Sequence, residues 1–224
     1  ISLPLPDGFP EDPLALEGAT VTDLELEVHR LARRLRAMET IRRRIASDGT
    51  RDPARIPSRS PIEPSSVVPL SVFGPRISPL THRPEFYAGL ALAAEDGTPV
   101  VAPAGGRVVF TGRVPGSAGA SWRPFGVVVV LAHDERTRTF FGDLGSVRVK
   151  RGQTVRRGEA LGAVGTNRFS PTPQLHYGVW KHDGRSWRPV DPRLYVLDAE
   201  WITAREVKSP VVPPEDVELP AAFR

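Results

Sequence analysis

The chain has 224 residues, 30 Lys+Arg against 26 Asp+Glu for a net charge of +4, 24 prolines and no cysteine. This length suits one well-buried domain with an appendage rather than two full domains, and the lack of cysteine excludes disulfides, thiolate metal sites and a thiol nucleophile. The basic excess is scattered arginine without a compact run interleaved with aromatics, so nucleic acid is not an expected partner, and no stretch reaches the roughly 18 apolar residues of a membrane-spanning helix.

Residues 1–19 carry four prolines in their first thirteen positions and read as an extended segment. Residues 20–49 read as a long amphipathic, coiled-coil-like helix. Leu24, Val28, Leu31, Leu35 and Met38 follow alternating steps of four and three, and Ile41 and Ile45 continue the stripe. Asp23, Glu25 and Glu27 at its start and Arg42, Arg43 and Arg44 near its end complement the helix macrodipole, and Gly49 ends it. About 25 residues at 1.5 Å each span roughly 37 Å. So narrow a stripe between charged faces suits a partner's groove or pairing with a second copy better than a globular core. The chain starts at Ile1 and its only methionine is Met38, so an upstream segment is expected, for which a signal peptide or membrane anchor is one candidate.

Residues 50–67 read as a Pro-rich linker, semi-rigid and long enough to hold the helix away from the rest of the chain. From residue 68 to 197 short apolar runs alternate with glycine turns, among them GTPVVAPAGGRVVFTG, FGVVVVLAH, RTRTFFGDLGSV and LHYGVWKHDGRSWRPV. They predict a mainly β domain, a sandwich or flattened barrel. The insertion RVPGSAGASWRPF, residues 113–125, puts Trp122 either in a lid over a groove or in a protein contact. Residues 198–224 form a Pro-rich tail expected to wrap the surface or fray.

Five segments then carry a resemblance. FGPRISP from Phe73, GTPVVAPAGGRVVFTG from Gly97, KRGQTVRRGEALGAVGTN from Lys150, PQLHYGVW from Pro173 and PVDPRLYV from Pro189 stand in this order. In that order they resemble the LytM/lysostaphin-type zinc endopeptidases of peptidoglycan. The resemblance implies a LytM-like antiparallel β-sandwich or flattened barrel of the duplicated hybrid motif type. It also implies one zinc held by a His, an Asp four residues on, and the last His of a His-x-His strand, with two further histidines acting on the water and the transition state. Three protein ligands leave a fourth position open, where the metal lowers the pKa of its water to about 7.

Carried onto this chain one residue at a time, the first ligand falls on Tyr87 and its Asp partner on Ala91. The first catalytic histidine falls on Asp143, the first His of His-x-His on Gln174, and the third ligand on His176. The spacings survive while four of these five positions have changed. One imidazole does not hold zinc with useful affinity, so the expectation is a pseudoenzyme without a metal, in which His176 is a remnant ligand. A relocated site built from His82, Asp143 and His176 is the alternative that keeps a metal. His133, closing the run GVVVVLAH, reads as a structural strand-end histidine.

If the family geometry holds, Phe86, Tyr87, Phe141, Asp143, Gln174, His176 and Tyr177 floor a groove suited to an extended peptide, glycan or partner segment. Arg76, Phe86, Trp122, Phe141 and Tyr177 are the expected groove or partner contacts. The leading functional expectation is a regulator or scaffold of peptidoglycan remodelling and cell division. It would act in the bacterial envelope, periplasmic or extracytoplasmic, through contacts with a cell-wall amidase, an active paralogue or a division complex. A peptidoglycan-binding module without cleavage is the second reading. An active zinc endopeptidase with a rearranged site is the third, and a structural protein self-paired through its helix the fourth.

Overall fold

The computed structural model describes Val28, Ala32, Leu35, Glu39 and residues 52–63, 67–79, 81–167, 169–196 and 212–224. Those first four are helical, and Val28 and Leu35, seven apart on the predicted stripe, are 63% and 64% exposed. Leu24, Leu31, Met38, Ile41 and Ile45 lie outside the described residues. Among the described residues no helix is long and apolar enough to cross a membrane.

The described residues form thirteen strands: β1 (Val68–Ser71), β2 (Gly74–Ile77), β3 (Pro84–Tyr87), β4 (Leu90–Ala93), β5 (Pro99–Val101), β6 (Gly106–Arg113), β7 (Val127–Ala132), β8 (Thr137–Gly142), β9 (Leu144–Val147), β10 (Thr154–Val155), β11 (Ala160–Asn167), β12 (Ser170–His182) and β13 (Trp187–Val190). The main sheet runs β1-β4-β12-β8-β7-β6-β10 and every pairing is antiparallel. β11 pairs with the start of β12 and then with β5 and β9, which gives a second layer. β2 and β3 form a separate hairpin. The sheet is open, ending at β1 and β10, so of the two expected shapes the closed barrel is not formed.

Both faces of the central strands are buried, which explains why β7 reads as an unbroken apolar run. Side chains alternate across a strand. Val129, Leu131, Phe141, Leu175, Tyr177 and Val179 therefore point into one core with Leu90, Leu92, Leu161 and Val164. Val128, Val130, Phe140 and Trp180 point to the opposite face, where Trp187, Leu219 and Phe223 cover them. At the end of β7, His133 is buried with Nδ1 2.8 Å from Gly105 O and Nε2 2.8 Å from Thr139 Oγ1. Burial presses its pKa down to about 4, so it sits neutral as a structural cross-link.

The segment expected to be a spacer and part of the segment expected to be a tail are packed into the domain. Within the expected linker, Arg55 donates from Nη1 to His133 O at 3.1 Å, Val101 N donates to Pro61 O at 2.8 Å, and Ile62 is only 1% exposed inside the first core. A short 3₁₀ turn, Pro53–Arg55, opens this stretch, and Ile62 supplies the apolar anchor that a spacer lacks. At the other end Leu219 and Phe223 of the expected tail are fully buried in the second core.

Candidate functional site

The second face of the sheet, where β4, β12 and β8 lie side by side, brings together the positions singled out above. His176 on β12 stands opposite Ala91 on β4 and opposite Gly142 on β8. Directly opposed residues of an antiparallel pair project to the same face, so the Ala91 methyl and the His176 ring share one floor. Tyr87, at the end of β3, reaches the same ring from above: its hydroxyl oxygen lies 2.7 Å from His176 Nδ1, and the two rings meet edge to face at 5.1 Å. Phe125 covers the imidazole on another side with centroids 4.2 Å apart.

Arg76 closes the pocket. Its guanidinium carbon lies 3.6 Å from the Tyr87 ring centroid, a cation–π contact. Its Nε donates to Glu85 Oε1 at 2.7 Å and its Nη1 to Ser71 Oγ at 2.7 Å. Burial together with this positive charge drives the His176 pKa down to about 3, so the imidazole is neutral at all ordinary pH. Burial likewise holds the Tyr87 phenol protonated, well above its usual range. The result is a neutral Tyr–His pair under a paired arginine.

Beside it sits a second polar group. Asp143 follows β8 in the left-handed region, φ 62°, which Asp tolerates better than most residues. Its carboxylate accepts from Gln174 Nε2 at 3.2 Å and from Asn167 Nδ2, whose other contact is Pro124 O at 3.1 Å. Asp143 N donates to Phe125 O at 2.7 Å, tying this turn to the covering loop. Burial raises the Asp143 pKa to about 6, against the two side-chain hydrogen bonds that favour its charged form.

The sequence reading missed three of these participants. Asn167, at the end of the quoted segment GAVGTN, and Phe125, the last residue of the insertion, carried no local signal of their role. Gly89 is the third: a Cβ there would stand 2.7 Å from His176 Cε1 and 2.6 Å from Tyr177 O, so only glycine admits the ring. Other expectations do not hold. Phe141 and Tyr177 are fully buried in the first core, on the face opposite His176, and are not groove contacts. The strand period of two decides this, since they neighbour site residues in sequence. For Trp122, expected either in a lid or in a protein contact, the packing agrees with the lid: it is half-buried among Phe125, Phe140, Trp180 and Phe223 at 5.3–5.6 Å. Phe86 lies against Phe73, centroids 5.0 Å apart. His82 is exposed at the tip of the β2–β3 hairpin while His176 is buried, so the relocated His82–Asp143–His176 set is not assembled.

The donor set does not fit the zinc that the resemblance implies. Ala91 has no donor atom, His176 is the single imidazole among the five carried-over positions, and its Nδ1 is already engaged by Tyr87. Among the described residues no three His, Cys, Asp or Glu side chains converge.

The Asp143 pocket makes a pH prediction. Its folded pKa, about 6, lies above the ordinary 3.8, so the folded chain keeps the proton to higher pH than the unfolded chain. The stabilisation is complete below the unfolded value and is lost as pH rises through 6. Asp143→Asn removes that loss while keeping a residue suited to positive φ. In chemical denaturation its gain over the parent at pH 7.5 is expected to exceed its gain at pH 4.5 by about 2 kcal/mol. A gain that does not grow with pH would contradict a raised pKa.

Comparison with known proteins agrees with this architecture. Residues 85–192 match the family described as Peptidase family M23. DD-carboxypeptidase/endopeptidase Mpg of Neisseria meningitidis is 34% identical over 144 residues, covering 62% of this chain and 31% of Mpg. Cell division protein DipM of Caulobacter vibrioides is 36% identical over 111 residues, 47% of this chain and 17% of DipM. The chain thus spans less than a third of the length of these relatives. Among solved structures, a zinc-containing peptidase from Vibrio cholerae superposes with a TM-score of 0.51 at 28% identity, over 61% of this chain and 39% of that one. The topology of this sheet, with its marked positions on one face, agrees with the match of residues 85–192 to peptidase family M23 and with the likeness to these LytM-type relatives.

Proposed function

We propose that this chain is a non-catalytic M23-type protein that regulates or scaffolds peptidoglycan remodelling in the bacterial cell envelope through protein contacts. One observation carries the reading: the position facing His176 is Ala91, and the Nδ1 of the His176 imidazole is held by the Tyr87 hydroxyl beneath Arg76. A hydrolytic zinc centre needs three donors and an open position; here Ala91 supplies no donor and His176 Nδ1 is already bonded. The likeness to a cell division protein, DipM, supports a role in envelope remodelling.

Surface chemistry supports protein contacts. Val68, Leu70, Val72 and Ile77, between 36% and 63% exposed, fall within ten residues of β1 and β2 beside the Arg76 cap. Apolar exposure concentrated in this way marks interaction surfaces more often than scattered single residues do. The helix read over residues 20–49 is assigned the role of an arm toward the same partner, a cell-wall amidase, an active paralogue or a division complex, or toward a second copy.

The test is incubation of the purified chain with peptidoglycan sacculi, with and without added zinc. The expected result is no release of soluble fragments in either case. Release that disappears in His176→Ala would overturn the proposal. A second reading, glycan binding without cleavage, is favoured by the Gln174 and Asn167 amides lying only partly buried beside Asp143. It predicts co-sedimentation with sacculi that weakens in Gln174→Ala, whereas the leading reading predicts no difference between the two chains.

A further inference from the structure

The C-terminal segment 212–224 touches the site through a single intervening layer. Arg188 on β13 gathers this segment by donating to four of its carbonyls: Pro213 O at 3.2 Å, Pro214 O at 2.6 Å, Val217 O at 3.5 Å and Glu215 O. Leu219 N adds a 3.4 Å bond to Trp187 O. Beyond that clamp Phe223 inserts between Phe110, Phe140 and Trp122, with centroids at 5.0, 5.4 and 5.5 Å. Trp122 in turn meets Phe125 edge to face at 5.6 Å, and Phe125 lies 4.2 Å from the His176 ring, centroid to centroid. The short 3₁₀ segment Ala120–Phe125 is therefore sandwiched, strap on one side and His176 and Asp143 on the other.

The two faces of this sandwich are held differently. No residue of 212–224 belongs to a strand of the sheet, so the segment can leave without opening a ladder, the condition for local release rather than global unfolding. The loop it covers has glycines at both ends in the positive-φ region, Gly119 at 93° and Gly126 at 63°. A Cβ at Gly119 would meet nothing within 4 Å, so glycine is there for its backbone freedom and not for space. Loop ends of this kind absorb backbone rotation in gated sites.

We propose that residues 212–224 are a latch: seated under Arg188, they clamp the Ala120–Phe125 loop over His176 and Asp143, and their release frees that loop to uncover the groove. The latch regulates access to the pocket at His176 and Asp143 and rests on the protein-contact reading for its use, but its mechanics do not depend on any partner.

The test is residue-resolved hydrogen exchange on the full chain and on two variants, Arg188→Ala, which loosens the strap without touching the core, and Phe223→Ala, which removes its plug. Both are expected to exchange the Asp143 amide, bonded to Phe125 O, and the Gly126 amide, bonded to Arg123 O, at least tenfold faster. The amides of β7 and β8 are expected to stay as protected as in the parent, and tryptophan emission to shift to the red. Unchanged Asp143 and Gly126 exchange in Arg188→Ala would overturn the latch. So would a uniform loss of protection across the sheet in both variants, which would make the segment a structural staple. If the latch result holds and no partner binds the opened groove, the docking reading fails while the latch stands.

Discussion

A chain carrying Tyr87→His and Ala91→Asp is expected to take up one zinc ion and to melt at higher temperature as zinc is added, while the parent shows neither response. The geometry already exists. Ala91 is directly opposite His176 in the β4–β12 register, and opposed side chains of such a pair have Cβ atoms about 4.5–5.5 Å apart. Tyr87 already places its ring end 2.7 Å from His176 Nδ1. The two replacements would raise the donors from one imidazole to two imidazoles and a carboxylate, the number a zinc site with an open position needs. Without metal the new carboxylate at position 91, where the alanine is 3% exposed, is buried beside the sheet. An unpaired buried polar group costs on the order of 2–7 kcal/mol, so the variant should be markedly less stable than the parent in chelator. Saturating zinc at a hundred times its Kd returns about 2.7 kcal/mol. Melting curves in chelator and in zinc, with metal analysis of the dialysed protein, read both effects. A variant indifferent to zinc would remove positions 87 and 91 from the ancestral ligand set. Stoichiometric zinc in the parent would remove the non-catalytic reading.

Gly165→Ala is expected to be strongly destabilising. A Cβ at Gly165 would lie 2.3 Å from Gly145 Cα and 2.4 Å from Gly145 N, both backbone atoms that no side-chain rotation can move. The crossing also holds the site, because Gly165 N donates to Asp143 O at 3.0 Å and Gly165 pairs with Gln174. Separating β9 from β11 to admit the methyl would displace the Asp143 turn and its bond to Gln174. The cost is expected at about 3 kcal/mol, the upper part of the range for overpacking, with a melting temperature lower by roughly 6–12 °C at the domain's size. Gly116→Ala, where a Cβ meets nothing within 4 Å, is the control and should differ from the parent by less than about 0.5 kcal/mol. Equal melting of the two variants would mean that the β9–β11 crossing gives way easily.

Much of the β domain was legible because its signals are local. Glycine turns punctuate runs of period two, and β7, buried on both faces, appears as an unbroken apolar string. The spacings of four from 87 to 91 and of two from 174 to 176 also survive in one dimension, so the five carried-over positions could be named before any was placed. What periodicity could not supply was which face of a strand meets the pocket once both faces are buried. Phe141 and Tyr177 read as groove residues because they adjoin Asp143 and His176, yet alternation turns them into the opposite core. The Pro-rich stretches were legible only in part, for a related reason. Proline marks extended backbone without saying what lies beneath it, and single apolar residues, Ile62 in one and Leu219 and Phe223 in the other, decide that they pack.

By itself the sequence determined the class of the domain, the order of its strands' signals and the lack of any donor at Ala91, since residue identity alone fixes whether an atom able to hold a metal is present. Only the tertiary structure decided what replaced the lost chemistry. The Tyr87–His176 hydrogen bond, the Arg76 cap, the Asn167 and Gln174 contacts to Asp143 and the reach of Phe223 through Trp122 to Phe125 join residues 11 to 101 positions apart. Contacts at such separations leave no periodic trace along the chain, because they are made by the packing of whole strands and not by any segment's own preference.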